Sequence, residues 1–342
     1  MPFLYVLAFV FGLLFVIYGG DIFIDSSIAL AKKSKIPTII IGATIVSIAT
    51  TMPELIVSLI SAAQGAYGLS VGNAVGSVIC NTALIGGLSM TILPTIIKEK
   101  TPSLKYFILI FASVLLLLCG FDESGNYTIA WYESLVLLIL FVLFMVFNIV
   151  DAYKQRKKKK AEESIDITIV DNLSVTENKE EKQPGFFKII ILFIVGAAMI
   201  ALGSYALVQS SVYFANLIGI NDSVIGLTIL AVGTSLPELI TTITAVKKKN
   251  SALGYGNIVG ANIINLSLLI GSAGLVSGNG GLPINFYTLW VSIPVMIASS
   301  IIFTLPLIFK NKSSRWQGIT LLSIYLLYFV FLIVMTCFGF VV

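Results

Sequence analysis

Histidine does not occur in the 342 residues, which removes imidazole proton relays, His-ligated zinc and Ser-His-Asp hydrolysis together. Cysteine is nearly as scarce. Cys80, Cys119 and Cys337 stand alone inside apolar runs, so neither a disulfide framework nor a Cys-x-x-Cys metal site is suggested. Each is expected to be a small buried hydrophobe. No Gly-x-x-x-x-Gly-Lys-Ser/Thr loop is present, so no nucleotide is expected to drive the protein. Charge is the third shortage: 11% of residues are charged and 57% hydrophobic, where a soluble chain carries about a quarter charged residues. With a mean hydropathy of +1.00, the composition is that of an all-α integral membrane protein embedded in a lipid bilayer.

A spanning helix needs about 20 apolar residues. Ten segments qualify, roughly 3–31, 36–64, 69–93, 103–120, 130–152, 185–216, 221–247, 252–277, 286–309 and 315–341. The first is read as a mature helix and not a signal peptide, because it lacks a basic start and a small-residue cleavage site, and Asp21 and Asp25 follow its apolar run. With ten transmembrane helices, all 21 Lys and Arg residues fall on one side. The opposite connections, 65–68, 120–130, 219–222 and 277–285, carry none. Basic loops stay cytoplasmic, so a multi-pass protein of the cell membrane is expected, with both termini extracellular and the central loop cytoplasmic. The net charge of +4 then reports topology and not nucleic-acid binding. Five spans per half is an odd number, so the second half enters the membrane the other way up, as two inverted five-helix repeats. The expected division is 1–152 for the first repeat, 153–184 for a charged linker, and 185–342 for the second repeat.

Two sequence boxes recur within this apolar background. Gly42-Ala-Thr-Ile-Val-Ser-Ile-Ala-Thr-Thr-Met-Pro-Glu54 returns as Gly226-Leu-Thr-Ile-Leu-Ala-Val-Gly-Thr-Ser-Leu-Pro-Glu238. Gly72-Asn-Ala-Val-Gly-Ser-Val-Ile-Cys-Asn81 returns as Gly256-Asn-Ile-Val-Gly-Ala-Asn-Ile-Ile-Asn265. Both matches are offset by 184 residues (238 − 54 and 265 − 81), within boxes 42–82 and 226–266. A proline lacks the amide hydrogen and crowds the carbonyl four residues back, so Pro53 is expected to open its helix around Ser47 to Thr50, giving discontinuous helices at the site. Freed carbonyls are tolerated in a membrane where they line a cavity or bind a cation. Ser47, Thr50 and Glu54 would share one helical face. Ala231, Thr234 and Glu238 repeat that stripe, with Ala231 able to offer only its backbone carbonyl. A carboxylate near the bilayer centre costs on the order of 3 kcal/mol, and two at equivalent repeat positions are hard to explain as packing. Asn81 and Asn265 each follow a small residue, Ser77 or Ala261, by one turn. Hydrogen bonding between helices and ion ligation both fit these amides; ligation is preferred. Asp21 and Asp25 have no counterpart in the second half, and a polar face partly paired with Lys32 or Lys33 is expected over ion contact.

Every candidate donor is oxygen, which favours hard cations such as calcium, magnesium or sodium over zinc or copper. Two glutamates balance one divalent ion, and a flexible cage of carbonyl and amide oxygens suits calcium better than magnesium. No catalytic residue set and no cofactor is indicated; the expected partners are the transported ions and lipid, with no nucleic acid or nucleotide, and the chain is expected to act as a monomer.

The two boxes resemble the alpha repeats of the sodium/calcium exchanger family, of prokaryotic type, within the cation/calcium antiporter superfamily. Gly-Thr-Ser-Leu-Pro-Glu at 233–238 is a specific match, and Ala-Thr-Thr-Met-Pro-Glu at 49–54 a divergent one. The resemblance implies that Glu54 and Glu238 bind calcium with Thr50 and Thr234, and that sodium sites add Ser47, Ser77, Ala231 and Asn81. It also implies electrogenic antiport by alternating access, with two peripheral helices sliding past a core. The family has Asp or Asn at the position of Asn265; Asn leans toward potassium-independent exchange. Ala261 departs from the Ser often found there. A calcium/proton antiporter, a potassium-dependent exchanger and, from another class, a cation channel remain alternatives.

Overall fold

In lipid the backbone must satisfy its own hydrogen bonds, and long runs without charge leave the helix as the way to do so. A computed structural model describes residues 2–34, 36–94, 104–121, 127–170, 185–217 and 231–337. Its helices are α1 (Pro2–Ser34), α2 (Thr38–Ala63), α3 (Tyr67–Ile92), α4 (Leu104–Cys119), α5 (Trp131–Val170), α6 (Phe186–Leu217), α7 (Ala231–Thr234 and Leu236–Lys247), α8 (Ser251–Val276), α9 (Thr288–Lys310) and α10 (Arg315–Cys337). Eight of them are long and apolar enough to cross a membrane, and α4 is a shorter apolar helix. The first part of the expected seventh segment, together with Gly226 to Leu230 of the second box and part of the linker, lies outside the described residues.

The helices are not equally covered. Of its most apolar stretch, α8 buries 83% inside the protein and α3 72%, whereas α10 buries 11%. The repeated boxes therefore occupy the centre. Small residues permit the close crossing there. A Cβ on Gly256 would strike the carbonyl of Ile39, and one on Gly260 would lie 2.7 Å from Cα of Ala43, so α8 runs against the first half of α2. The long helices α1 and α6 pack along each other by the same device, Gly19 facing Met199 and Gly196 facing the backbone of Phe23. Their outward residues, Phe3, Phe11, Tyr18, Phe187 and Leu202 among them, are exposed, as expected of a lipid-facing surface. A two-residue ribbon, β1 (Thr128–Ile129) against β2 (Leu282–Pro283), closes one end. Around it gather Phe121, Tyr127, Phe286 and Trp290 in ring contact, the amphipathic aromatics that membrane–water boundaries favour.

Four features depart from expectation. α5 does not stop at 152 but continues as helix to Val170, through the Lys- and Glu-rich sequence taken as linker; these are strong helix formers once a preceding helix supplies the nucleus. Asp21 and Asp25 pair with Lys248 at 3.2 and 2.8 Å, a partner across at the end of α7 where Lys32 or Lys33 was expected. Lys105, one of the basic residues expected on the cytoplasmic side, is buried and lies 3.8 Å from Asp151, joining α4 to α5. Pro53 sits inside the regular helix Ser47–Ala63, and the widened turn lies one step earlier, a π-type turn at Gly42–Val46. At Pro306 in α9 the Gln317 amide donates to Ile302 O (2.8 Å) and Phe303 O (3.0 Å), supplying donors in place of the missing proline N–H.

Gly260→Val should overpack the α2–α8 crossing at a cost of about 1–3 kcal/mol, lowering the thermal midpoint in detergent by several degrees. Gly68→Ala, at an exposed helical position where an added Cβ meets nothing, should not lower it, and the usual helical preference of Ala over Gly favours a rise.

Candidate ion-binding site

The centre of the molecule is built from buried hydroxyl, amide and carboxyl groups. Glu54 and Glu238 are both 0% exposed. Each sits one helical turn after a short hydroxyl residue, Thr51 in α2 and Ser235 in α7, and the hydroxyls cross over. Thr51 donates to Glu238 Oε1 at 3.0 Å, and Ser235 donates to Glu54 Oε1 at 3.3 Å. Thr51 and Ser235 are 184 residues apart, as are the two glutamates, so the two bonds are equivalent in the repeat. Residues one turn apart on a helix share a face, which brings the two carboxylates to the same place.

The local backbone explains the aim of these groups. α7 breaks at Ser235, where φ −86° and ψ 7° leave the helical region, and restarts with Pro237 in its first turn; proline is accommodated there because its missing N–H is not needed. The expected discontinuity thus occurs in the second half, immediately before Glu238. In α3 and α8 the helices widen into π-type turns at Cys80–Gly86 and Asn265–Leu269, which contain Asn81 and Asn265. Such turns have no composition signature, although they often mark functional sites.

The other predicted residues fall into two groups. Thr50, Thr234 and Ser77 join the glutamates in one network: Thr50 donates to Asn257 Oδ1, Thr234 to Asn73 Oδ1, and Ser235 also contacts the Ser77 hydroxyl at 3.2 Å. Asn81 is fully buried and donates to Asn262 Oδ1 at 3.0 Å. Asn81 and three others are not joined to that network through the hydrogen bonds of their side chains. Ser47 is buried but donates to its own helix at Thr44 O; Asn265 is buried with no hydrogen-bond partner on either end of its amide; Ala231 begins α7, and its side chain lies outside the described residues. Sequence reasoning passed over Thr51, Ser235, Asn73, Asn257 and Asn262. The first four were visible as duplicated polar positions inside the boxes; Asn262, matched by Val78, carried no such signal.

Four buried oxygens at this centre accept nothing from the protein: Glu54 Oε2, Glu238 Oε2, Asn81 Oδ1 and Asn265 Oδ1. A buried acceptor without a donor is costly, and a hard cation is the partner that oxygen ligands take. Among the described residues no group of three or more Cys, Asp and Glu side chains occurs, so a cation here would be held by two carboxylates and neutral oxygens. Cys80 and Cys119 are free, buried thiols, as expected.

Residues 4–150 and 188–334 match the sequence profile described as sodium/calcium exchanger protein. The chain belongs to the sodium/calcium exchanger family. This is a family of membrane transporters and not of enzymes, and the chain is a multi-pass membrane protein. It is 32% identical to the sodium/calcium exchanger MaX1 of Methanosarcina acetivorans over 94% of this chain and 96% of that one. It is 31% identical to an uncharacterized membrane protein of Methanocaldococcus jannaschii, over 93% and 95%. Among solved structures, the sodium-calcium exchanger NCX_Mj soaked without sodium or calcium superimposes with a TM-score of 0.78 at 29% identity, covering 97% of this chain and all of the other.

Two buried carboxylates without a counter-charge destabilise the folded chain, so in cation-free buffer Glu54→Gln should unfold at the parent's temperature or above it. Added calcium should raise the parent's midpoint and not the variant's. A lower midpoint for the variant in cation-free buffer would mean that the protein alone balances both charges.

Proposed function

We propose that the protein is a secondary antiporter that exchanges sodium for calcium across the cell membrane, driven by ion gradients. The observation that carries this reading is the pair of fully buried glutamates, each retaining one unpartnered oxygen, inside a family of sodium/calcium exchangers. Calcium is held by Glu54, Glu238 and oxygens of Thr50 and Thr234. Sodium ions take the same carboxylates with Ser47, Ser77, the Ala231 carbonyl, Asn81 and Asn265. Because the two cargoes need the same oxygens, binding of one displaces the other, and exchange follows without any covalent step.

The architecture is that of ten spans in two inverted five-helix repeats, 1–152 and 185–342, joined by a cytoplasmic connection at 153–184. The crossed hydrogen bonds support it: Thr51 to Glu238 and Ser235 to Glu54 are interchanged by a two-fold operation, the signature of an isologous contact. Both termini are extracellular by the one-sided distribution of basic residues. Access alternates around a fixed site as α1 and α6, which pack on each other and expose most of their surface, shift against the buried core of α2, α3, α7 and α8. Transport is electrogenic, and the uncharged Asn265 makes it potassium-independent. A single chain is the working unit.

Sodium-loaded vesicles containing the purified protein should take up calcium when diluted into sodium-free medium, equally with and without potassium. An inside-positive potential should speed uptake. Glu54→Gln and Glu238→Gln should each abolish it. Uptake driven by a pH gradient without sodium would instead mark a calcium/proton antiporter, and a strict potassium requirement would overturn the potassium-independent reading.

A further inference from the structure

The two threonines read as ion ligands are held across the boundary between the halves. Thr234 donates to Asn73 Oδ1 and Thr50 donates to Asn257 Oδ1, both at 3.2 Å. Asn73 and Asn257 are themselves 184 residues apart, so this too is one contact made twice. Each amide is anchored at its other end within its own half. Asn73 Nδ2 donates to the Glu54 carbonyl at 3.2 Å and to Ser58 Oγ at 2.9 Å, and Asn257 Nδ2 donates to Thr241 Oγ1 at 2.9 Å. Both are buried, 5% and 1% exposed. With its nitrogen committed, each amide turns its oxygen, an acceptor only, toward the threonine. A hydroxyl has one proton; once that proton points to the asparagine, the oxygen offers lone pairs elsewhere. In Thr50 the Ser47 carbonyl, at 3.3 Å, and the Glu238 carboxylate compete for the same proton.

We propose that Asn73 and Asn257 are positioning residues that set the site's calcium affinity, each fixing the threonine contributed by the opposite half. This rests on the reading of Thr50 and Thr234 as ligands. Groups that orient ligands in this way change metal affinity by roughly 10–100-fold when removed. The site is then complete only when the halves are in register, because each holds the other's ligand.

The test is a double-mutant cycle read as the calcium concentration that half-saturates the thermal shift of the full chain in sodium-free detergent. The same unfolding curves report whether each variant is folded, and Asn73→Ser and Asn257→Ser replace alanine variants that are not. Asn73→Ala and Thr234→Val should each raise the half-saturating concentration about tenfold or more, and together no further than the larger single effect. Asn73→Ala with Thr50→Val should multiply. Thr234→Ser, which keeps the hydroxyl, should bind as the parent does. If both threonine variants weaken binding but Asn73 and Thr234 multiply, the positioning role is overturned and the ligand reading stands. If Thr50→Val and Thr234→Val bind calcium as the parent does, both fall.

Discussion

A carboxylate taken out of water needs hydrogen-bond donors or a counter-ion, and two of them in one dry space need this more, because they also repel. The rest of the centre is arranged around that requirement. Each glutamate receives a hydroxyl from the other half of the chain, and each keeps one oxygen with no protein partner. Neither half completes the site alone. The donors are neutral, so the charge of the pair is left for a cation to balance.

That constraint orders the helices. The box-bearing helices are the most enclosed, and glycine at the α2–α8 crossing allows the backbones close enough for short side chains to meet. Longer side chains there would hold the hydroxyls out of reach. The less enclosed α1 and α6 meet mainly each other, a pair whose packing does not depend on the polar centre. Motion between pair and core would leave the crossed bonds of the site in place.

The apolar runs made most of the helices legible, since length without charge admits little else in lipid. Pro-Glu at 53–54 and 237–238 likewise marked the centre, because a repeated buried acid has few structural explanations. The less visible features depend on partners distant in sequence. Thr51 and Ser235 look like ordinary helix-face hydroxyls until the opposing glutamate is in place, and Asn262 acquires a role only from Asn81. Pro53 suggested an opening at 47–50, but the helix widens at 42–46, where α8 packs against Gly42. The pairing of Asp21 and Asp25 with Lys248 joins residues more than 220 positions apart, beyond any local pattern. The halves also differ where the repeat has drifted: Ser77 against Ala261, and Val78 against Asn262. The two ends of the site therefore offer different oxygens.

The central claim is that one divalent ion is shared by the two crossed carboxylates. An anomalous difference map from crystals grown in calcium tests it most directly. A single strong peak within about 2.3–2.6 Å of oxygens from both Glu54 and Glu238 is the predicted result. A peak held by one glutamate alone, or none between them at saturating calcium, would contradict it.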